Sequence, residues 1–156
     1  LVATLDGDGQ NDPADIPRLV TELYARAAEG VTMVVGERQK RQDSWVRRVS
    51  SRVANRVRNA LLHDGVADTG CGTKVFEREA FLELVPFDHM HRFLPALVRA
   101  RGGRIVAMPV SHRPRRAGRS KYGVGNRVWV GIVDLVGVMW LTRRGIVPRA
   151  GREEIE

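Results

Sequence analysis

Two carboxylates, Asp6 and Asp8, stand one residue apart at the end of the apolar run Leu1-Val2-Ala3-Thr4-Leu5, and Gln10 follows at the same interval. A short apolar run ending in acids reads as a buried strand that delivers them to the carboxyl edge of a sheet, where open α/β sheets bind ligands. In an extended segment residues i and i+2 point the same way, so Asp6, Asp8 and Gln10 are expected to converge. Three hard oxygen donors suit Mg²⁺ or Mn²⁺ and leave the other coordination positions to water or a substrate phosphate. A calcium loop of the EF-hand type also opens Asp-x-Asp, but it needs Gly and Glu where this chain has Asn11 and Pro17. The remaining alternative is a solvated turn rich in Asp and Gly.

A second stretch is chemically pointed: Ser111-His112-Arg113-Pro114-Arg115-Arg116-Ala117-Gly118-Arg119-Ser120-Lys121-Tyr122-Gly123. It follows the predicted strand Arg104–Val110, which places it near the edge expected to carry Asp6 and Asp8. Basic loops of this kind hold phosphates with arginine forks, a hydroxyl and backbone N–H groups. Its alternative is a disordered basic loop or a nuclear-localisation-like patch.

Elements that would position these groups are legible around them. Asp12-Pro13-Ala14-Asp15 opens a helix, with Asp12 as cap, Pro13 in the first turn and Asp15 adding favourable charge. Ile16, Leu19, Val20, Leu23, Tyr24 and Ala27 recur at helical spacing, Gly30 ends the helix, and Val31–Gly36 is a second buried strand. Strand, helix, strand implies a parallel crossover. A helix is expected from Ser44 to about Leu62, with Val46, Val49, Val53, Val57, Ala60 and Leu61 on one face and Arg47, Arg48, Arg52, Arg56 and Arg58 on the other. The glycines of Asp68-Thr69-Gly70-Cys71-Gly72-Thr73-Lys74 mark a backbone that turns tightly or approaches a ligand. A short strand and a short helix come next. A further helix is expected over His91–Arg101, with Pro95 kinking or starting it.

With 156 residues the chain has the length of one domain able to bury a core. It begins at Leu1 inside a strand, which reads as a chain that has lost an N-terminal portion, and no signal peptide is visible. Net charge is +8, mostly from arginine, which implies an anionic partner: nucleic acid, anionic lipid or a phosphorylated substrate. A lone cysteine, Cys71, excludes an internal disulfide and a Cys-based zinc site. The run Val128–Leu141 is apolar around Asp134, with tryptophans near both ends and Arg127, Arg143 and Arg144 outside them. It is shorter than the ~20 residues a span needs, and the pattern suits an interfacial or re-entrant helix, with a core helix as the alternative.

The motifs D-G-D-x-Q-x-x-P, D-T-G-C-G-x-K-x-F, H-R-F-L-P, R-x-x-G-R-S-K-Y-G and W-V-G-I-V-D-L-V-G-V-M-W-L, in this order, resemble a family 2 glycosyltransferase of the dolichol-phosphate mannosyltransferase-like (polyprenyl-phosphate glycosyltransferase) group. The resemblance runs from Leu1 to about Arg144. It implies the C-terminal part of a GT-A fold: an α/β architecture, a mostly parallel sheet flanked by helices, and a C-terminal membrane-interface helix. It divides the chain into a catalytic domain over 1–123 lacking its N-terminal nucleotide-binding units, an amphipathic membrane-associated helix over 124–144, and a charged tail over 145–156.

By the same resemblance, Asp6, Asp8 and Gln10 hold Mg²⁺ or Mn²⁺ and the donor diphosphate. Arg116, Arg119, Ser120 and Lys121 belong to a loop closing over the donor and acceptor phosphates, and Arg38 lies toward the lipid phosphate. The implied reaction is inverting transfer from a nucleotide-diphosphate sugar to a polyprenyl phosphate, dolichyl or undecaprenyl. It would run at the cytoplasmic face of a membrane, the prokaryotic inner membrane, by an enzyme held peripherally or interfacially. Members of the group often carry a Glu in the helix matching His91–Arg101. None stands there, so no catalytic acid is transferred to that helix. The competing class is a non-enzymatic basic module for nucleic acid or anionic lipid. Against it stand the acidic pair at a strand end and the lack of aromatic stacking positions among the basic residues. No nucleic-acid partner is expected.

Overall fold

The computed structural model describes residues 1–38, 45–113 and 124–144. Among these, four strands form one sheet: β1 (Val2–Thr4), β2 (Val31–Arg38), β3 (Lys74–Phe76) and β4 (Arg104–Val110). Five α-helices accompany them: α1 (Ile16–Ala25), α2 (Trp45–Leu62), α3 (Arg78–Leu82), α4 (Leu94–Ala100) and α5 (Val124–Arg144).

The sheet order is β1-β3-β2-β4. β2 and β4 pair in parallel, whereas β3 is antiparallel to both β1 and β2. The expected mostly parallel sheet is therefore corrected to a mixed one. β1, β2 and β4 share a direction, as the β1–α1–β2 crossover demands, but β3 is inserted between β1 and β2. A strand as short as Lys74–Phe76 carries no directional signal in its sequence. Its place is set by the register of Val75 against both Ala3 and Val34.

Apolar residues divide across the sheet by strand alternation. Val34 and Val75 face Leu19 and Leu23 of α1, with Val31, Cys71 and Val110 completing that cluster. Met33, Val35 and Phe76 face the other way, against Leu94, Leu97 and Val98 of α4 and Val138 of α5. β2 is buried on both faces, which accounts for its unbroken apolar run.

Helix boundaries follow their local signals. Asp12 accepts the Ala14 N–H at 3.2 Å and caps a 3₁₀ turn, Pro13–Asp15, that leads into α1. Gly30, at φ 76°, closes the exit from α1 in a left-handed conformation that glycine adopts without steric cost. Pro95 sits in the first turn of α4 and starts that helix, with a separate 3₁₀ turn at Met90–Arg92 before it.

Arg58 departs from expectation. Assigned by spacing to the basic face of α2, it turns inward and donates from Nε to Asp64 at 3.0 Å and from Nη2 to the Val66 carbonyl at 3.2 Å. Asp64 is almost fully buried, and a buried carboxylate requires a charged or hydrogen-bonded partner. Conversely Val57, assigned to the apolar face, is half exposed.

Candidate active site

β1 ends at Thr4, whose hydroxyl donates to the Gly72 carbonyl at 2.8 Å, and the acidic residues follow immediately. They are not on an extended strand. Residues 7–9 form a turn with Gly9 at φ 74°, and Asp8 Oδ1 accepts the Gln10 N–H at 3.1 Å. The strand-alternation route to convergence therefore fails beyond Thr4, and a side-chain-closed turn presents the acids instead. Asp6 is exposed, while Asp8 and Gln10 are half-buried.

The turn is stitched to the root of the basic loop. Asn11 and His112 form an isolated antiparallel bridge, and the Arg113 N–H donates to the Gln10 carbonyl at 2.8 Å. Gln10 Nε2 lies 3.5 Å from His112 Nε2, and the Arg113 guanidinium pairs with Asp12. Asp15 does more than favour the helix start. It is buried, takes Arg18 Nη1 at 3.1 Å, and accepts the Ser111 N–H at 2.7 Å, so α1 anchors the exit from β4. The two stretches singled out by their chemistry are therefore neighbours at one edge of the sheet. Arg116, Arg119, Ser120 and Lys121, placed by sequence in the phosphate loop, lie outside the described residues.

The Asp68–Lys74 segment builds the floor beside Asp6. Asp68 grips Arg38 in a two-pronged ion pair, Nε to Oδ2 at 2.6 Å and Nη2 to Oδ1 at 2.7 Å. The pair is largely shielded from solvent, and such forks fix the planar guanidinium in one orientation. Arg38, expected toward the lipid phosphate, thus has this face committed to Asp68. Lys74 is 4% exposed, and its ammonium donates to the Cys71 carbonyl. Burial pushes its pKa down, while Cys71, Asp6 and Asp68 nearby oppose that shift. Burial raises the pKa of the Cys71 thiol, which favours its uncharged form in the α1-side core.

Gly72 explains one glycine of the D-T-G-C-G motif. A Cβ there would lie 2.4–2.5 Å from all three atoms of the Asp6 carboxylate group. The Asp6 carboxylate thus rests on bare backbone, and Gly72→Ala is expected to displace it. Under the transfer chemistry proposed below, the expected result is a loss of turnover of about 10²-fold, on the scale of a 1 Å misplacement, with little change in melting temperature. Wild-type turnover in Gly72→Ala would show that the position of Asp6 does not matter.

Asp68, Gly72 and Lys74 were not identified as site residues from sequence. The signal was the glycine-punctuated motif, but the partners of Asp68 and Lys74 are distant in the chain. His91 belongs to the same surroundings. Its pKa is lowered by burial, with Arg92 and Lys74 adding to the effect and Asp6 opposing it.

As a donor set, Asp6 and Asp8 suit a hard divalent ion that completes its shell with phosphate and water. Among the described residues no group of three or more His, Cys, Asp or Glu side chains is arranged to enclose an ion.

No protein-family model matches the chain. It is 38% identical over 146 residues to dodecaprenyl-phosphate galacturonate synthase of Rhizobium johnstonii, an alignment covering 92% of this chain. The chain spans 42% of that relative's length. With an acid turn, an adjoining basic-loop root and this degree of identity along nearly its whole length, the chain belongs to the polyprenyl-phosphate glycosyltransferases of the family 2 type.

Proposed function

We propose that the chain forms the C-terminal part of a GT-A catalytic domain that transfers a sugar from a nucleotide-diphosphate donor to a polyprenyl phosphate, with inversion. The observation that carries this is the junction of the acid turn with the root of the basic loop through Asn11–His112, Gln10–Arg113 and Asp15–Ser111. It joins the acids to the root of the basic loop, residues 111–113, at one edge of the sheet. The relative's name joins dodecaprenyl phosphate to galacturonate, so a nucleotide-diphosphate galacturonate is the first donor to test.

In this proposal the C1–O bond to the donor diphosphate breaks, and the nucleoside diphosphate leaves with the electron pair. A new C1–O bond forms to an oxygen of the acceptor phosphate. That phosphate has a second pKa of about 6 and is largely anionic at neutral pH, so no strong general base is needed. Positioning and electrostatics then dominate the rate. Asp6 and Asp8, with Gln10, would hold Mg²⁺ or Mn²⁺, which supplies charge neutralisation to the departing diphosphate. Arg116, Arg119, Ser120 and Lys121 are assigned to both phosphates.

α5 supports a membrane-surface setting. Trp129, Ile132, Val133, Val136 and Trp140 are all exposed and recur on one side of the helix, while Leu135, Val138, Met139 and Leu141 pack on the core. No helix among the described residues is long and apolar enough to cross a membrane. A stripe with a tryptophan at each end and Arg143 and Arg144 in the last turn suits the headgroup boundary of an anionic lipid surface. Trp129→Ser with Trp140→Ser is expected to cut flotation of the full-length protein with phosphatidylglycerol vesicles at least fivefold, while turnover of a short-chain water-soluble polyprenyl phosphate persists. Unchanged flotation would remove α5 from the membrane contact.

Against the basic-module alternative, several of the described arginines are already engaged within the chain. Arg18, Arg26, Arg38, Arg58 and Arg113 are all paired with carboxylates of this chain. The functional reading is tested by incubating the full-length protein with labelled nucleotide sugars and a polyprenyl phosphate. Label is then counted in the organic phase, with nucleic-acid binding measured alongside as the competing outcome.

A further inference from the structure

Asp134 stands out among the groups outside the acid site. It lies midway along α5, on the side away from the exposed Trp129–Trp140 stripe, with only 17% of its side chain accessible. Its Oδ2 is buried without a hydrogen-bond partner. Burying a carboxylate oxygen in that way is costly, so its retention needs a reason. The neighbour is His89, whose Nδ1 is 3.6 Å from Oδ2, too long for a hydrogen bond but within ion-pair range.

His89 is itself unusual. Its φ of 63° is one of two positive values at non-glycine residues among those described, and a histidine in the left-handed region is strained. It opens the 3₁₀ turn Met90–Arg92. The same turn carries His91, whose ring stands edge-on to His89 at 6.5 Å between centroids. His91 in turn lies within the electrostatic reach of Asp6 and Lys74. One chain of neighbours therefore runs from the helix with the exposed apolar stripe through His89 to His91, on whose ring the charges of Asp6 and Lys74 act.

We infer that Asp134 and His89 are positioning residues for sugar transfer: their pair ties the 88–92 turn to α5 and thereby fixes His91 and Arg92 relative to Asp6. This rests on the transferase function proposed above. On this view the carboxylate is kept buried and incompletely bonded because it holds a strained turn in place. Neither residue touches substrate; each acts through the turn.

The test compares Asp134→Asn, His89→Asn and the double variant in the full-length protein. Asn is chosen at position 89 because it tolerates the left-handed backbone, so only the imidazole is lost. Each single variant is expected to lower kcat about tenfold, with KM for donor and acceptor within about twofold, and the double to lose no more than either single. Amide hydrogen exchange over residues 87–93 is expected to quicken in Asp134→Asn, with the melting temperature within a few degrees of wild type. Multiplicative losses in the double variant, wild-type kcat in His89→Asn, or unchanged exchange over 87–93 would each overturn the inference. Exchange is read without substrate. If the wild-type protein transfers no sugar, the function proposed above fails while exchange still decides whether the pair holds the turn.

Discussion

Asp8→Asn in the full-length protein should lower kcat for lipid-linked product by about 10³-fold while leaving the fold intact. The substitution is close to isosteric. The Asn Oδ1 can still accept the Gln10 N–H that Asp8 accepts at 3.1 Å, so the turn closes as before. On the proposed mechanism, what disappears is one of two negative charges that would hold a divalent ion where the leaving diphosphate gains charge. Loss of stabilisation aimed at developing charge is among the largest single effects in enzymes. Excess Mn²⁺ should recover part of the activity, whereas the thermal midpoint should not move. Wild-type-like turnover in Asp8→Asn would sink the proposed role of the acid turn.

The second large effect is on stability. Asp68→Ala removes both contacts of the Arg38 fork, at 2.6 and 2.7 Å, from a guanidinium that is only 15% exposed. Breaking a buried pair from one side typically costs about 3–5 kcal/mol, because the remaining charge loses a bidentate counter-charge where solvent reaches it poorly. For a chain of this size that corresponds to a fall of roughly 10 °C in melting temperature. The double variant Arg38→Met with Asp68→Leu removes both charges and should recover most of that loss, since an apolar pair can replace a buried ion pair at little net cost. Activity should not return with stability, because the floor beside Asp6 and Lys74 would have lost its charge pattern. A double variant as active as wild type would reduce the fork to a structural element.

The comparison of sequence with structure divides by range. Local signals were sound. Asp12-Pro13 starts the α1 region, Gly30 closes its exit, and Pro95 starts α4, because capping and φ restrictions act within a few residues. The unbroken apolar character of β2 correctly marks a strand covered on both faces. Inferences that needed a distant partner did not follow from the sequence. Lys74–Phe76 reads as a strand, but nothing in three residues shows that it enters antiparallel between β1 and β2. Arg58 fits the basic face of α2 by spacing, yet the desolvation cost of Asp64 draws it inward.

The candidate site divides in the same way. Asp6, Asp8 and Gln10 were picked out by residue type, but the geometry offered for them, alternation along a strand, is replaced by a turn that Asp8 closes through its own side chain. The basic loop was expected near the acids because it follows a strand, and its root at residues 111–113 is held there by Gln10, Asn11, Asp12 and Asp15. Asp68 and Lys74 passed unnoticed because their meaning lies in Arg38, Asp6 and Cys71, which only the folded chain assembles.

The central claim is that the acid turn and basic loop together serve metal-dependent transfer to a lipid phosphate. Its most direct test gives the full-length protein labelled nucleotide-diphosphate galacturonate and undecaprenyl phosphate, with Mn²⁺ in one series and chelator in the other. Label extractable into organic solvent is followed over time. The account predicts label that requires both metal and lipid phosphate and is lost in Asp8→Asn. Equal transfer with chelator and in Asp8→Asn would contradict it.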